Sequence, residues 1–122
     1  MTYTPVSEIS DEVLILSDAT IPPLLEILNE EGKFDGLPGM DSEDDAQRLN
    51  AVLDTALQRL IAGIAETPRK RWVFEQLQPA LAAVRSRDTV TREHLGTYAE
   101  RVMDVLGIES SDGLLSYYLG GI

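Results

Sequence analysis

The chain has no cysteine and a single histidine, His94, in 122 residues. The first absence excludes disulfide staples and thiolate chemistry and agrees with a reducing compartment. The second excludes a multi-histidine metal site and a relay between two imidazoles. No apolar run approaches the roughly 20 residues that span a bilayer. Met1 to Ser10 lacks the basic and apolar regions of a secretory signal, so the expectation is a soluble cytoplasmic protein. Basic residues are scarce too: 10 Lys and Arg stand against 21 Asp and Glu, a net charge of −11. Residues 1–61 carry thirteen acids and three bases, and residues 62–122 carry eight and seven, so the excess sits in the first half. Such a chain lacks the cations that neutralise phosphates, which argues against nucleic acid and an anionic membrane as partners. A basic protein fits better, because complementary fields speed encounter.

What is present is a well-patterned globular sequence, 43% hydrophobic and 25% charged, with the length of one domain around one core. Residues 1–6 are expected to be extended and loosely held. Ser10 followed by Asp11 and Glu12 reads as the start of a two-turn helix with Ile9, Val13 and Leu16 or Ile15 on its buried face. Thr20, with Pro22 and Pro23 in the first turn, predicts a second helix burying Leu24, Leu25, Ile27 and Leu28 and stopped by Gly32. A Gly- and Pro-bearing loop, residues 33–41, is pinned by Phe34, Leu37 and Met40. Ser42 and Asp45 then resemble a capping box. Leu49, Val52, Leu53, Ala56, Leu57, Leu60, Ile61 and Ile64 follow at steps of three and four, predicting a long central helix over about 42–66.

Thr67 and Pro68 open the next helix, which runs to about Arg85 across Pro79, and Thr89 or Thr91 caps the one after. There Gly96 suggests a close helix contact or simple tolerance. Gly107 has the place of a left-handed helix stop, with Ile108 folding back onto the helix it ends. Ser110, Ser111 and Asp112 offer caps to a last short helix carrying Leu114, Leu115, Tyr117, Tyr118 and Leu119, so the chain is expected to be ordered through Ile122. The reading is a single all-α domain, a bundle of five to six helices around the long central one.

Chemistry is harder to find. Asp41, Glu43, Asp44 and Asp45 form the densest charge cluster, but a calcium loop begun at Asp41 would place Ala46 and Val52 where Gly and Glu are required. Acids at a helix N-terminus also have a plain electrostatic reason to be there. Arg69, Lys70 and Arg71 are too few for a nucleic-acid footprint and read as a solvated first turn near those acids. His94 is expected at the surface, stacked on Tyr98 four residues on. Ser110, Ser111 and Ser116 lack the glycines of a nucleophile elbow. No catalytic, cofactor or metal residues emerge, and the expectation is a protein that is not an enzyme. Tyr117 and Tyr118 are adjacent, so only one can face inward and the other is offered to a binding surface.

Lys33-Phe34, Leu37-Pro38-Gly39-Met40, Asp88-Thr89, Arg92-Glu93, the run from Met103 to Leu115 (Met-Asp-Val-Leu-Gly-Ile-Glu-Ser-Ser-Asp-Gly-Leu-Leu) and Leu119-Gly120 together resemble a family of small bacterial domains of unknown function. The resemblance covers about residues 21–120 and implies no catalytic residues. The expected function is therefore that of a small acidic protein-binding domain, of the kind that serves as an immunity or antitoxin-like inhibitor. It would occlude a basic partner through Glu30, Glu31, Asp35, Asp41, Glu43, Asp44 and Asp45, with Tyr117 and Tyr118 as further contacts. The competing expectation is a scaffold that self-associates through an exposed part of the helix from Leu49 to Ile64.

Overall fold

The apolar stripe that begins at Leu49 folds as the long central helix. In the computed structural model, which describes residues 5–120, α1 spans Ile21–Asn29, α2 Glu43–Gly63, α3 Lys70–Val84, α4 Thr89–Leu106 and α5 Leu114–Leu119. Leu49, Leu53, Ala56, Leu57 and Leu60 of α2 are all buried, and α2 packs most extensively on α3. Phe74, Val73 and Leu77 of α3 and Leu95, Val102 and Leu106 of α4 complete the centre of the core. Helix α1 crosses α2 and α4, while α5 closes over α3 and α4. The stripe of α2 is thus largely used inside one chain, with Val52 and Ile61 half-buried at its edges.

Helix ends follow the local chemistry at Ser42 and Gly107. Exceptions fall at α4, at α5, at the start of α3 and at both ends of α1, whose Thr20 makes no side-chain cap bond. Ser42 Oγ accepts the Asp45 N–H at 3.1 Å, as a capping residue should. Gly107 takes φ 71°, and the Ile108 N–H reaches the Met103 carbonyl at 2.9 Å, the Schellman geometry expected from the sequence. Gly96 packs so closely that a Cβ there would lie 3.2 Å from Leu119 Cδ1. The first exception is α4, whose cap is Asp88, accepting the Thr91 N–H at 3.2 Å, rather than either threonine. The second is α5, where Ser111 Oγ takes the Leu115 N–H but Asp112 turns away toward other partners. Helix α1 ends at Asn29, three residues before Gly32, and Leu25 is 40% exposed instead of buried.

The largest correction lies before α1. No helix starts at Ser10. A 3-10 turn, Pro5–Glu8, buries Val6, so this part is not loosely held; the expectation for residues 1–4, like that for residues 121–122, lies outside the described residues. From Ser10 to Ser17 the chain runs as a strap without helical structure. Val13 forms an antiparallel bridge with Arg69, flanked by Leu14 N–H to the Pro68 carbonyl at 2.7 Å and Lys70 N–H to the Glu12 carbonyl at 2.9 Å. The physical reason is at the start of α3. Thr67 and Pro68 do not cap it, Arg69 stands at the cap position without a side-chain bond, and the strap supplies an acceptor for a backbone donor that the helix leaves unsatisfied.

Candidate functional site

Helix α2 begins against the loop of residues 33–41, and between them lies an open groove of about 490 Å³. Its floor is apolar, made by Leu37, Met40 and Ala46, and its polar lining includes Asp35, Ser42, Glu43 and Gln47. Two cations, buried Lys33 and half-buried Arg87, hold the loop in place. Lys33, whose side chain is 1% exposed, donates to the Leu28 carbonyl at 3.0 Å, the Glu30 carbonyl at 2.7 Å and Asp54 Oδ1 at 2.6 Å. It closes the C-terminus of α1, where unpaired carbonyls and the helix dipole both favour a cation. Asn50 accepts the Phe34 N–H at 2.7 Å and donates to Asp35 at 3.0 Å.

The far end of the loop is tied by Arg87. Its guanidinium grips Asp45 with both terminal nitrogens, the bidentate geometry that makes such pairs strong, and donates to the Gly39 carbonyl at 3.2 Å. Asp45 Oδ2 also accepts the Asp41 N–H at 3.1 Å. A side chain at Gly39 would meet the Asp88 carboxylate within 2.4 Å, so the loop seats directly on the cap of α4.

The acids named from the sequence therefore divide. Glu31, Asp35, Asp41, Glu43 and Asp44 are exposed, and of these Asp35 and Glu43 line the groove. Asp45, 4% exposed, is a structural ion-pair partner and offers no surface. Glu30 is half-buried, pairs with Arg101 and accepts the Tyr98 hydroxyl at 3.3 Å. Tyr118 is buried and bonded to Gln78 at 2.9 Å. Tyr117 is 40% exposed and lies under the Arg85 guanidinium, 4.3 Å from its ring centre. Tyr118 thus faces inward and Tyr117 outward, their rings meeting edge-on at 5.0 Å on α5, and neither lines the groove. Arg87, Lys33 and the apolar floor were not singled out from the sequence; the floor residues were read only as anchors of the loop.

The basic run is not a solvated turn. Lys70 is 3% exposed and bonds Asp112 at 2.9 Å with Glu12 at 3.6 Å. Arg71 donates to the Ile9 carbonyl, and Arg69 reaches Asp11 at 3.3 Å. These residues knit the strap to α3 and to the turn before α5. His94 is half-buried, not superficial. Its Nε2 donates to the Lys33 carbonyl, and its ring meets Phe34 and Tyr98 edge-on at 5.2 and 5.4 Å.

Several carboxylates are held below their ordinary values by these pairs. The Arg87 hydrogen bond dominates for Asp45, Arg101 for Glu30 and Lys70 for Asp112. A carboxylate lowered in the folded state contributes stability that is complete above its unfolded value and is lost as pH falls through the folded one. The domain is accordingly expected to lose stability as pH drops below about 4. Asp45→Asn should melt lower than the parent at pH 7 and show a shallower decline on acidification, so that the two curves converge. Calorimetric melting between neutral pH and pH 2 checks this, and parallel acid limbs would contradict it.

Among the described residues, no group of three or more His, Asp or Glu is placed to hold a metal ion, and no helix is long and apolar enough to cross a membrane. No curated protein and no solved structure matches the chain. Every helix from α1 to α5 lies within residues 17–122, the stretch matched by the model of a family described as Domain of unknown function (DUF4844), and the chain belongs to that family.

Proposed function

We propose that the domain is a non-enzymatic protein-binding module that takes a basic partner at the groove between residues 33–41 and α2, as an immunity or antitoxin-like inhibitor does in the bacterial cytoplasm. The observation that carries this reading is the combination of an apolar floor, Leu37, Met40 and Ala46, with carboxylates at Asp35 and Glu43. A Lys or Arg side chain lays its aliphatic stem on such a floor while its charged head reaches the rim. Asp41, Asp44 and Glu31 extend the negative field beyond the contact and steer approach. Occlusion follows from size: a domain seated by this face covers a basic cleft without performing chemistry in it.

The test reverses Glu43 and Asp44 to Lys and leaves Asp45, which the fold needs, untouched. Both side chains are exposed, so the core is untouched. Reversing two acids in the first turn of α2 costs about 1–2 kcal/mol of helix-dipole stabilisation, and a melting curve checks that the variant is folded. A partner captured on the immobilised full chain and identified by mass spectrometry is expected to associate at least about tenfold more slowly with the reversed variant at low ionic strength. The difference should shrink at high salt. Equal association rates for both chains at low salt would overturn the reading.

A further inference from the structure

The strap before α1 has a second edge, and the described structure leaves it open. In residues 11–16 the inward hydrogen bonds come from Glu12 and Leu14, which pair with Lys70 and Pro68. Backbone groups of alternate residues in an extended chain point to opposite sides, so those of Val13 and Ile15 face away from α3. Among the described residues neither has a hydrogen-bond partner. Their side chains alternate in the same way. Leu14 is 9% exposed and belongs to the core, whereas Val13 is 62% and Ile15 98% exposed. A row of unpaired N–H and C=O groups beside β-branched apolar side chains is a template for another strand. None of the usual protections, a proline, a lysine or a bulge, lies between residues 11 and 16.

We propose that this edge accepts an extended segment of another protein as an added β-strand. Apolar residues of that segment lie beside Val13 and Ile15, and its Lys or Arg residues lie beside the flanking acids. Charge selects the occupant. Asp18 follows the open positions with no ion-pair partner among the described residues, and Glu12 keeps a side chain 66% exposed with Lys70 3.6 Å away, whereas Asp11 is paired with Arg69. A basic flank on the incoming strand completes that pattern. A second copy does not, because it brings another net charge of −11 to an edge already flanked by acids. Main-chain hydrogen bonds supply the affinity in such an addition, and alternate side chains supply the selectivity. The proposal is independent of the acidic groove, whose test substitutions lie on α2.

The test uses the full chain and a fluorescein-labelled peptide of alternating valine and threonine with two lysines at each end. Saturable binding by fluorescence anisotropy is expected. Ile15→Pro removes one outward donor and leaves the bonds of Glu12 and Leu14 in place, and it should weaken binding at least about tenfold. A peptide methylated on alternate backbone nitrogens tests the same pairing without altering the protein, and should lose binding whether or not the proline variant folds. Exchanging the lysines for glutamates should also weaken binding. The proposal is overturned if the parent peptide does not bind, if the methylated or acidic peptide binds equally well, or if sedimentation shows a concentration-dependent dimer that Ile15→Pro dissolves.

Discussion

Lys33→Met is expected to lower the stability of the domain by about 2–4 kcal/mol, a large part of the 5–15 kcal/mol that typically separates folded from unfolded states. Methionine keeps most of the apolar stem, so little packing is lost. What disappears is a cation that makes three hydrogen bonds from a site with 1% side-chain exposure. Two of its acceptors are the Leu28 and Glu30 carbonyls at the end of α1, and buried acceptors left without donors cost about 1–3 kcal/mol each. Asp54 is 36% exposed, so water replaces part of its lost partner and the estimate stays below that for a fully buried pair. Chemical denaturation of the two proteins measures the difference. Removing Asp54 as well should cost less than the two separate losses added together, because the pair shares one interaction. A Lys33→Met variant within about 0.5 kcal/mol of the parent would show that the loop is held by other means.

Gly107→Val is expected to cost about 2 kcal/mol, for a reason unrelated to packing. Nothing lies within 4 Å of a Cβ built on Gly107, but its φ is 71°. Residues with a side chain lose roughly 1–2 kcal/mol in that conformation, and a β-branched one loses more. Gly107→Asn has the same room and a side chain that tolerates left-handed backbone, so it should fall close to the parent. If valine and asparagine melt alike, strain is not what selects glycine here. The consequence reaches beyond α4. The turn after Gly107 places Ile108 in the core and carries Asp112 to Lys70, so altering the stop displaces the residues that seat α5.

Patterned burial was legible in the sequence, and paired charge was not. The stripe of α2 repeats at helical spacing and has one way to hide, so the central helix could be read without tertiary information. Gly107 and the split between Tyr117 and Tyr118 were equally local. The strap was misread because Val13, Leu14, Ile15 and Leu16 form a continuous apolar run that fits a short helix as well as a strand. Only the backbone groups of Pro68 and Lys70, more than fifty positions away, decide between them. Separation along the chain also hid Lys70 and Arg87, each 42 positions from its carboxylate, and the Lys33–Asp54 pair, 21 positions apart. A charged residue is ordinarily solvated, and nothing near Arg87 in sequence announces Asp45, 42 positions earlier. The exposed acids around the groove could be nominated from charge density, but the apolar floor beneath them arises only when Leu37 and Met40 are folded back against Ala46.

Fastening the loop of residues 33–41 at both ends has an entropic consequence. Lys33, Asn50, Asp45 and Arg87 fix its backbone before any ligand arrives, and Phe34 anchors it in the core. A loop ordered only on contact would subtract the cost of immobilising each residue from the free energy of association. Here that ordering is already part of folding. On the function proposed above, the groove would meet a partner as a preformed wall, and the ordering that remains would fall to the incoming side chains.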